Sequence, residues 1–182
     1  RKMSSAAPRV AEFSDGGLRF DATVPFGNGQ RFQHLGGDTY SCHIRVDAEP
    51  FAQLFHFEIR SESTPRQLRL RIVDGVAWGH PCYAYSWYQP MVSHDDGNTW
   101  EAIRDCQARL VSTGNSVEDQ AMEYAFTLTD SPARFASVIP HSLERLGRWL
   151  EGVQERHGDH LESGVAGASV EGRSIPVLRF TD

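Results

Sequence analysis

Thr39-Tyr-Ser-Cys-His-Ile-Arg-Val46 alternates with a period of two: Tyr40, Cys42, Ile44 and Val46 fall on one side, and Ser41, His43 and Arg45 on the other. Successive side chains of an extended chain point to opposite faces, so this pattern predicts a strand with one packed face and one wetter face. The next segments repeat it. Phe51 to Arg60 sets Phe51, Gln53, Phe55, Phe57 and Ile59 opposite Leu54, His56 and Glu58, and Leu68-Arg-Leu-Arg-Ile-Val-Asp74 sets Leu68, Leu70 and Ile72 inward. Three such strands form a sheet of the kind antiparallel pairing allows.

From Val10 to Val138 period two dominates, broken by Gly, Pro, Asn and Asp clusters. Further strands are expected at Ala84–Trp87, Cys106–Val111, Met122–Leu128 and Phe135–Ile139, with turns around Asp95–Asn98 and Thr113–Asn115. About seven or eight short strands imply two packed sheets or a barrel, and we take the sandwich. The fold class is therefore mainly β: an antiparallel β-sandwich, one C-terminal helix, then a β-hairpin.

The period changes after Pro140. Ser142 reads as a helix start, and Leu143, Leu146, Trp149, Leu150 and Val153 form an apolar stripe that ends before Gly158. The polar stretches His157-Gly-Asp-His160 and Glu162-Ser-Gly164 read as a linker. Beyond them, Ala166–Val170 and Ile175–Phe180 flank a Glu171-Gly172 turn. This hairpin looks like the opening of a second domain. The expected division is residues 1–158 for the sandwich and helix, and residues 159–182 for the linker and hairpin.

At 182 residues the chain can bury roughly 70% of its extended surface, enough for one substantial core and an appendage. A net charge of −6 argues against nucleic acid as a partner. No run of apolar residues is long enough to span a bilayer, and the basic start Arg1-Lys-Met has no apolar stretch behind it, so neither a membrane role nor a signal peptide is expected. Cys42, Cys82 and Cys106 form no CxxC pair, which fits buried thiols in a reducing compartment, the cytoplasm.

Few groups suggest chemistry. His141-Ser-Leu-Glu144 has the His-x-x-Glu spacing of some zinc sites, but it stands at a helix N-terminus, where Glu144 favours the dipole and His141 can cap. His157 and His160, the possible third ligands, lie at or beyond the far end of a helix more than about 20 Å long. His94-Asp-Asp-Gly-Asn98 lacks the spaced oxygens of a calcium loop and reads as a turn. Ser86 and Ser93 lack a glycine-flanked elbow, and Arg69 and Arg71 read as a salt-bridged strand face. No catalytic, cofactor-binding or metal-binding residue is therefore assigned. Trp78, Tyr83, Tyr85, Trp87 and Tyr88 crowd eleven residues, too many for one sheet core. Core packing, an interface between domains and a ligand groove all remain open for them.

Several of these segments together resemble the N-terminal domain of the cytosolic carboxypeptidase subfamily of the zinc metallocarboxypeptidases, the M14 family. Leu54-Phe-His-Phe-Glu-Ile59 is similar to its Trp/Phe-Phe-x-Phe-x-Val strand, and Leu68-Arg-Leu-Arg-Ile-Val-Asp74 to its Tyr-Arg-Phe-x-Ile-x-Asn strand. Ser86-Trp-Tyr-Gln-Pro-Met91 resembles in part the family's Gly-Met-x-Pro and Tyr-Ser segment. Tyr124-Ala-Phe-Thr-Leu128 and Phe135–Leu146 resemble a later strand and an aromatic pre-helix stretch, the latter without two or three of its tyrosines. Gly167–Leu178 looks like the Ser-x-x-Gly-Arg-x-Ile-Pro-Leu-Leu hairpin that opens the catalytic domain.

The resemblance implies a β-sandwich accessory domain without catalytic residues, since the family's zinc ligands, catalytic Glu and substrate-binding Arg and Asn all follow that hairpin. It places His141 and Glu144 on the pre-helix segment, away from the zinc motif. The implied partner is a catalytic domain of the same protein carrying zinc, with peptide or protein C-termini as substrates. The other reading is a stand-alone β-sandwich module that binds a peptide or a glycan.

Overall fold

The computed structural model describes residues 11–45, 54–73, 89–114 and 120–180. The chain divides into two units, one through Pro140 and one from His141 onward. The expected boundary lay near residue 158; here the helix falls in the same unit as the hairpin.

Eleven strands of the first unit are described: β1 Glu12–Asp15, β2 Leu18–Asp21, β3 Gly29–Gly36, β4 Thr39–Ile44, β5 His56–Ser61, β6 Arg66–Ile72, β7 Met91–Ser93, β8 Glu101–Ala102, β9 Gln107–Ser112, β10 Gln120–Leu128 and β11 Ala133–Ala136. They form a six-stranded sheet, β1-β2-β5-β11-β7-β8, and a five-stranded sheet, β3-β4-β6-β10-β9. Pairing is antiparallel apart from β4 and β6, which run parallel with Tyr40 opposite Leu70. Two connections explain why the short early strands were harder to foresee. Between β1 and β2, Gly16 and Gly17 take φ of 59° and 74°, the left-handed pair a two-residue hairpin needs. Strand β3 carries register shifts at Gln30/Gln33 and His34/Gly36, which break its alternation.

The inward residues of both sheets meet in one core. Tyr40, Cys42 and Ile44 from β4, Leu68, Leu70 and Ile72 from β6, and Phe57 and Ile59 from β5 are all buried, as the alternation predicts. Rings bind the two sheets to each other: Phe20 lies 5.1 Å from Tyr40, Phe55 5.5 Å from Tyr124, and Phe126 stacks on Phe135 at 5.0 Å. Each such ring contributes about 1.5–3 kcal/mol through burial, and offset pairing adds to it. The expected strand at Ala84–Trp87 and the aromatic cluster from Trp78 to Tyr88 lie outside the described residues.

In the second unit, helix α1 spans Leu143–His157. Ser142 caps it, its side chain accepting from the Arg145 amide at 2.9 Å, with Glu144 in the first turn and Arg156 and His157 in the last. Val153 is buried, whereas Leu143 and Trp149 of the same stripe are more than half exposed. The polar stretch read as a linker is instead ordered structure. Gly158–His160 makes one 3-10 turn, and β12, Leu161–Ala168, starts at once and pairs antiparallel with β13, Ser174–Phe180. Leu161 is buried and pairs with Phe180, which draws the hairpin back past Gly164. Gly172, φ 76°, supplies the turn at the expected Glu171-Gly172 position.

Candidate functional site

Among the described residues, the buried carboxylates and the buried histidine lie on the outer faces of the two sheets, at two places. On the six-stranded sheet, His56 and Glu58 point away from the core yet are 5% and 3% exposed. Strand β5 lies between β2 and β11, so its outward residues are flanked on both sides. Glu58 accepts from Arg60 Nε at 2.6 Å, and Arg134 Nε approaches its other oxygen at 4.0 Å. Arg134 also donates to the carbonyl of Asp96 and reaches its carboxylate at 3.3 Å. The Trp100 indole meets His56 edge-on at 5.7 Å and donates to Gly97 O at 2.9 Å.

Neither ring nitrogen of His56 makes a hydrogen bond of good geometry, although the Phe26 and Pro25 backbone lies close enough to favour its charged form. Burial, and then the nearby Arg134 cation, pushes its pKa down to about 4, with the Phe26 and Pro25 backbone opposing weakly. The ring is neutral at pH 7. Asp95 in the adjoining turn is engaged locally: it accepts from the Thr99 amide and hydroxyl and from Ser93 Oγ, and these bonds hold its carboxyl at about 2. Both of its oxygens are thereby occupied, so the acidic segment His94–Asn98 is a turn, with Asp96 and Gly97 at φ of 59° and 85°.

On the five-stranded sheet, Glu123 of β10 is 1% exposed and sits between β6 and β9. Arg71 Nε donates to one oxygen at 2.7 Å, and Arg109 donates to the other through Nε at 2.9 Å and Nη2 at 2.6 Å. Burial raises the carboxyl, but the two guanidiniums outweigh it and hold it below the usual range. Arg71, one of the two arginines noticed in the sequence, thus serves an internal carboxylate, while Arg69 is exposed.

The remaining candidates stand apart from these clusters. His141 and Glu144 are exposed at the start of α1, and Glu144 faces Arg148 at 3.8 Å. The cap is Ser142, not His141. His157 closes α1 and His160 ends the 3-10 turn, both exposed. Among the described residues no group of three His, Cys, Asp or Glu side chains converges as a metal site. Cys42 is buried, and burial pushes the Cys106 thiol up to about 12, so it stays protonated and unreactive. Ser93 donates to Asp95 at 2.8 Å. Cys82 and Ser86 lie outside the described residues. One cavity of about 200 Å³ lies among Val92, His94, Ile103, Asp105 and Thr127, and a groove of about 450 Å³ runs in the second unit between Leu150 and Gln154 on one side and Pro176 and Leu178 on the other.

The two ion-paired carboxylates were missed in the sequence. Their signal was a Glu flanked on both sides by apolar residues, at the outward parity, with arginines at matching parity on the neighbouring strands. That register is knowable only once the strands are paired: Glu123 stands opposite both Arg71 and Arg109.

Comparison with known proteins gives this arrangement a context. No family model matches the chain. Cytosolic carboxypeptidase 6 of Mus musculus is 23% identical over 180 residues, covering 91% of this chain and 31% of that protein. A metallo-carboxypeptidase from Pseudomonas aeruginosa, solved in complex with (2-guanidinoethylmercapto)succinic acid, superposes with a TM-score of 0.66 at 25% identity. The chain is a relative of the M14 metallo-carboxypeptidases. A putative carboxypeptidase A from Shewanella denitrificans OS-217 shares the fold with a TM-score of 0.63 at 23% identity. These superpositions cover 87% and 90% of this chain but 39% and 40% of the solved ones. The chain thus spans about a third of the curated relative and two fifths of the solved structures.

Proposed function

We propose that this chain is the non-catalytic N-terminal β-sandwich portion of a zinc-dependent metallocarboxypeptidase that removes C-terminal amino acids from peptides or proteins. The observation that carries the reading is the lopsided coverage: nearly all of the chain matches metallo-carboxypeptidases whose own length is more than twice as great. The described polar clusters agree with a supporting role, because Glu58, Asp95 and Glu123 are each tied to donors of their own unit. In this reading zinc and the substrate-binding groups belong to a further domain of the same polypeptide. The sandwich supports its folding or the access of substrate, and the protein works in the cytoplasm. The helix and hairpin from His141 onward then connect the sandwich to the catalytic domain.

The test compares the 182-residue chain alone with the same chain joined to whatever follows it in its reading frame. Zinc after dialysis and release of C-terminal residues from peptides are expected with the longer protein alone. Stoichiometric zinc retained by the short chain, and lost in His141→Ala, would overturn the reading.

A further inference from the structure

We propose that His34 is a proton-operated latch between the two sheets of the first unit: as an imidazolium it ties the tip of the β1–β2 hairpin to the tip of the β3–β4 hairpin, and without its proton it holds one of them. The geometry is decisive about the protonation state. His34 Nδ1 lies 2.8 Å from Asp15 Oδ2, and Nε2 lies 2.7 Å from the Gly37 carbonyl oxygen. A carbonyl oxygen can only accept, and an ionised carboxylate can only accept, so both ring nitrogens must donate. The imidazolium alone does that. A neutral ring would turn a lone pair toward one of its two partners and lose that bond.

The two partners belong to different sheets. Asp15 ends β1 in the six-stranded sheet, and Gly37 lies in the turn that joins β3 to β4 in the five-stranded sheet. The ring is held between them by stacking on Tyr40, with centroids 4.5 Å apart and planes 12° from parallel. The charged and titratable groups around it come from every neighbouring element. Asp15 faces it from β1, Asp38 stands in the β3–β4 turn, Arg66 comes from β6 and the Tyr40 hydroxyl from β4. Acceptance by the Gly37 carbonyl and then by Asp15 outweighs partial desolvation and the opposing Arg66 charge, and the ring titrates above the ordinary 6.5 of histidine.

A second tie joins the same two tips without the His34 ring. Arg66 Nη1 donates to Gly16 O at 2.7 Å and its Nε and Nη2 reach Asp38 at 3.4 and 3.3 Å. The approach here is close: a Cβ on Gly16 would stand 2.8 Å from the Tyr40 oxygen, at a φ of 59°. Loss of the His34 proton therefore loosens the tips without parting the sheets. The sign follows from linkage. Because the folded state favours the protonated ring, its contribution is complete below pH 6.5 and disappears as pH rises through the higher folded value.

Titration of the His34 ring by NMR in the whole chain tests this, with amide exchange of Gly37 and Asp38 followed over the same pH range. The expected midpoint lies above 6.5 and falls toward 6.5 in Asp15→Asn. After correction for intrinsic exchange, protection of the turn should drop across the midpoint and become independent of pH in His34→Gln, which keeps one donor. A midpoint at or below 6.5 in the unaltered protein, or an undiminished pH-dependent loss of protection in His34→Gln, would overturn the latch. The first of these needs no variant to fold.

Discussion

Strands β5 and β13 are of similar length and β13 is the more apolar, yet β5 is buried on both faces over its first four residues while β13 is exposed along almost all of its course. Phe57 and Ile59 of β5 are at most 1% exposed, and even its outward Glu58 is covered. Ile175, Val177 and Phe180 of β13 are 46%, 43% and 72% exposed. The difference lies in neighbours. Strand β5 has β2 and β11 at its edges and a second sheet on its inner face, whereas β13 has β12 as its described partner. Alternation tells which side chains share a face; it does not tell whether anything covers that face.

The largest expected effect follows from the covered strand. Phe57 touches rings of both sheets, with Phe32 at 5.3 Å and Phe135 at 5.7 Å. Phe57→Ala should destabilise the protein by about 3–5 kcal/mol in denaturant unfolding, through lost transfer energy and the cavity left behind. A loss under about 1 kcal/mol would mean that the two sheets are not joined through this ring.

The outer face of the same strand should show itself in acid. His56 is neutral in the fold and titrates at about 4, so its neutral form is favoured by folding. Stability from this group is complete above 6.5 and is lost as pH falls toward 4, an effect on the order of 3 kcal/mol. The acid loss should therefore be smaller in His56→Phe than in the unaltered chain when unfolding is followed from pH 7 to pH 4. An equal loss in both would show that another group carries the acid sensitivity.

Glu123 extends the comparison to the second sheet. Removing its carboxylate leaves Arg71 and Arg109 facing each other across β10, and Arg109 is largely exposed and can turn to water. Glu123→Ala should cost about 1.5–3 kcal/mol, the range for hydrogen bonds to charged groups. The double variant with Arg71→Ala should cost less than the sum of the two single ones, because each removes the other's partner. Strict additivity would break the argument.

How much of this could be read from the sequence depends on where each residue's environment comes from. The inward sets Tyr40, Cys42, Ile44 and Leu68, Leu70, Ile72 were legible because their burial follows from local parity alone. The start of α1 was legible because a cap is a contact within four residues. The early strands were not, since β1 and β2 are four residues each and β3 is interrupted by register shifts. The linker reading of His157–Gly164 failed because Leu161 pairs with Phe180, nineteen positions away, and no local signal records that. The contacts that tie the outward polar residues, Glu58 with Arg134, Glu123 with Arg71 and Arg109, and His34 with Asp15, are likewise products of topology.

The smallest effect is expected on the exposed strand, and it sharpens the contrast most. Val177 stands opposite Gly164 in the hairpin, with 43% of its surface open to solvent. Its truncation removes little buried area, and the facing glycine has no side chain to lose as a partner. Val177→Ala should therefore change stability by no more than about 0.5 kcal/mol in this chain, the range of ordinary surface substitutions. If the hairpin does lie against a further domain, as the proposed function holds, the same substitution in the longer protein should cost about 1 kcal/mol or more, since two methyl groups would then leave a packed interface. Equal small effects in the short and the long protein would leave the strand exposed in both, and would count against a connecting role for the hairpin.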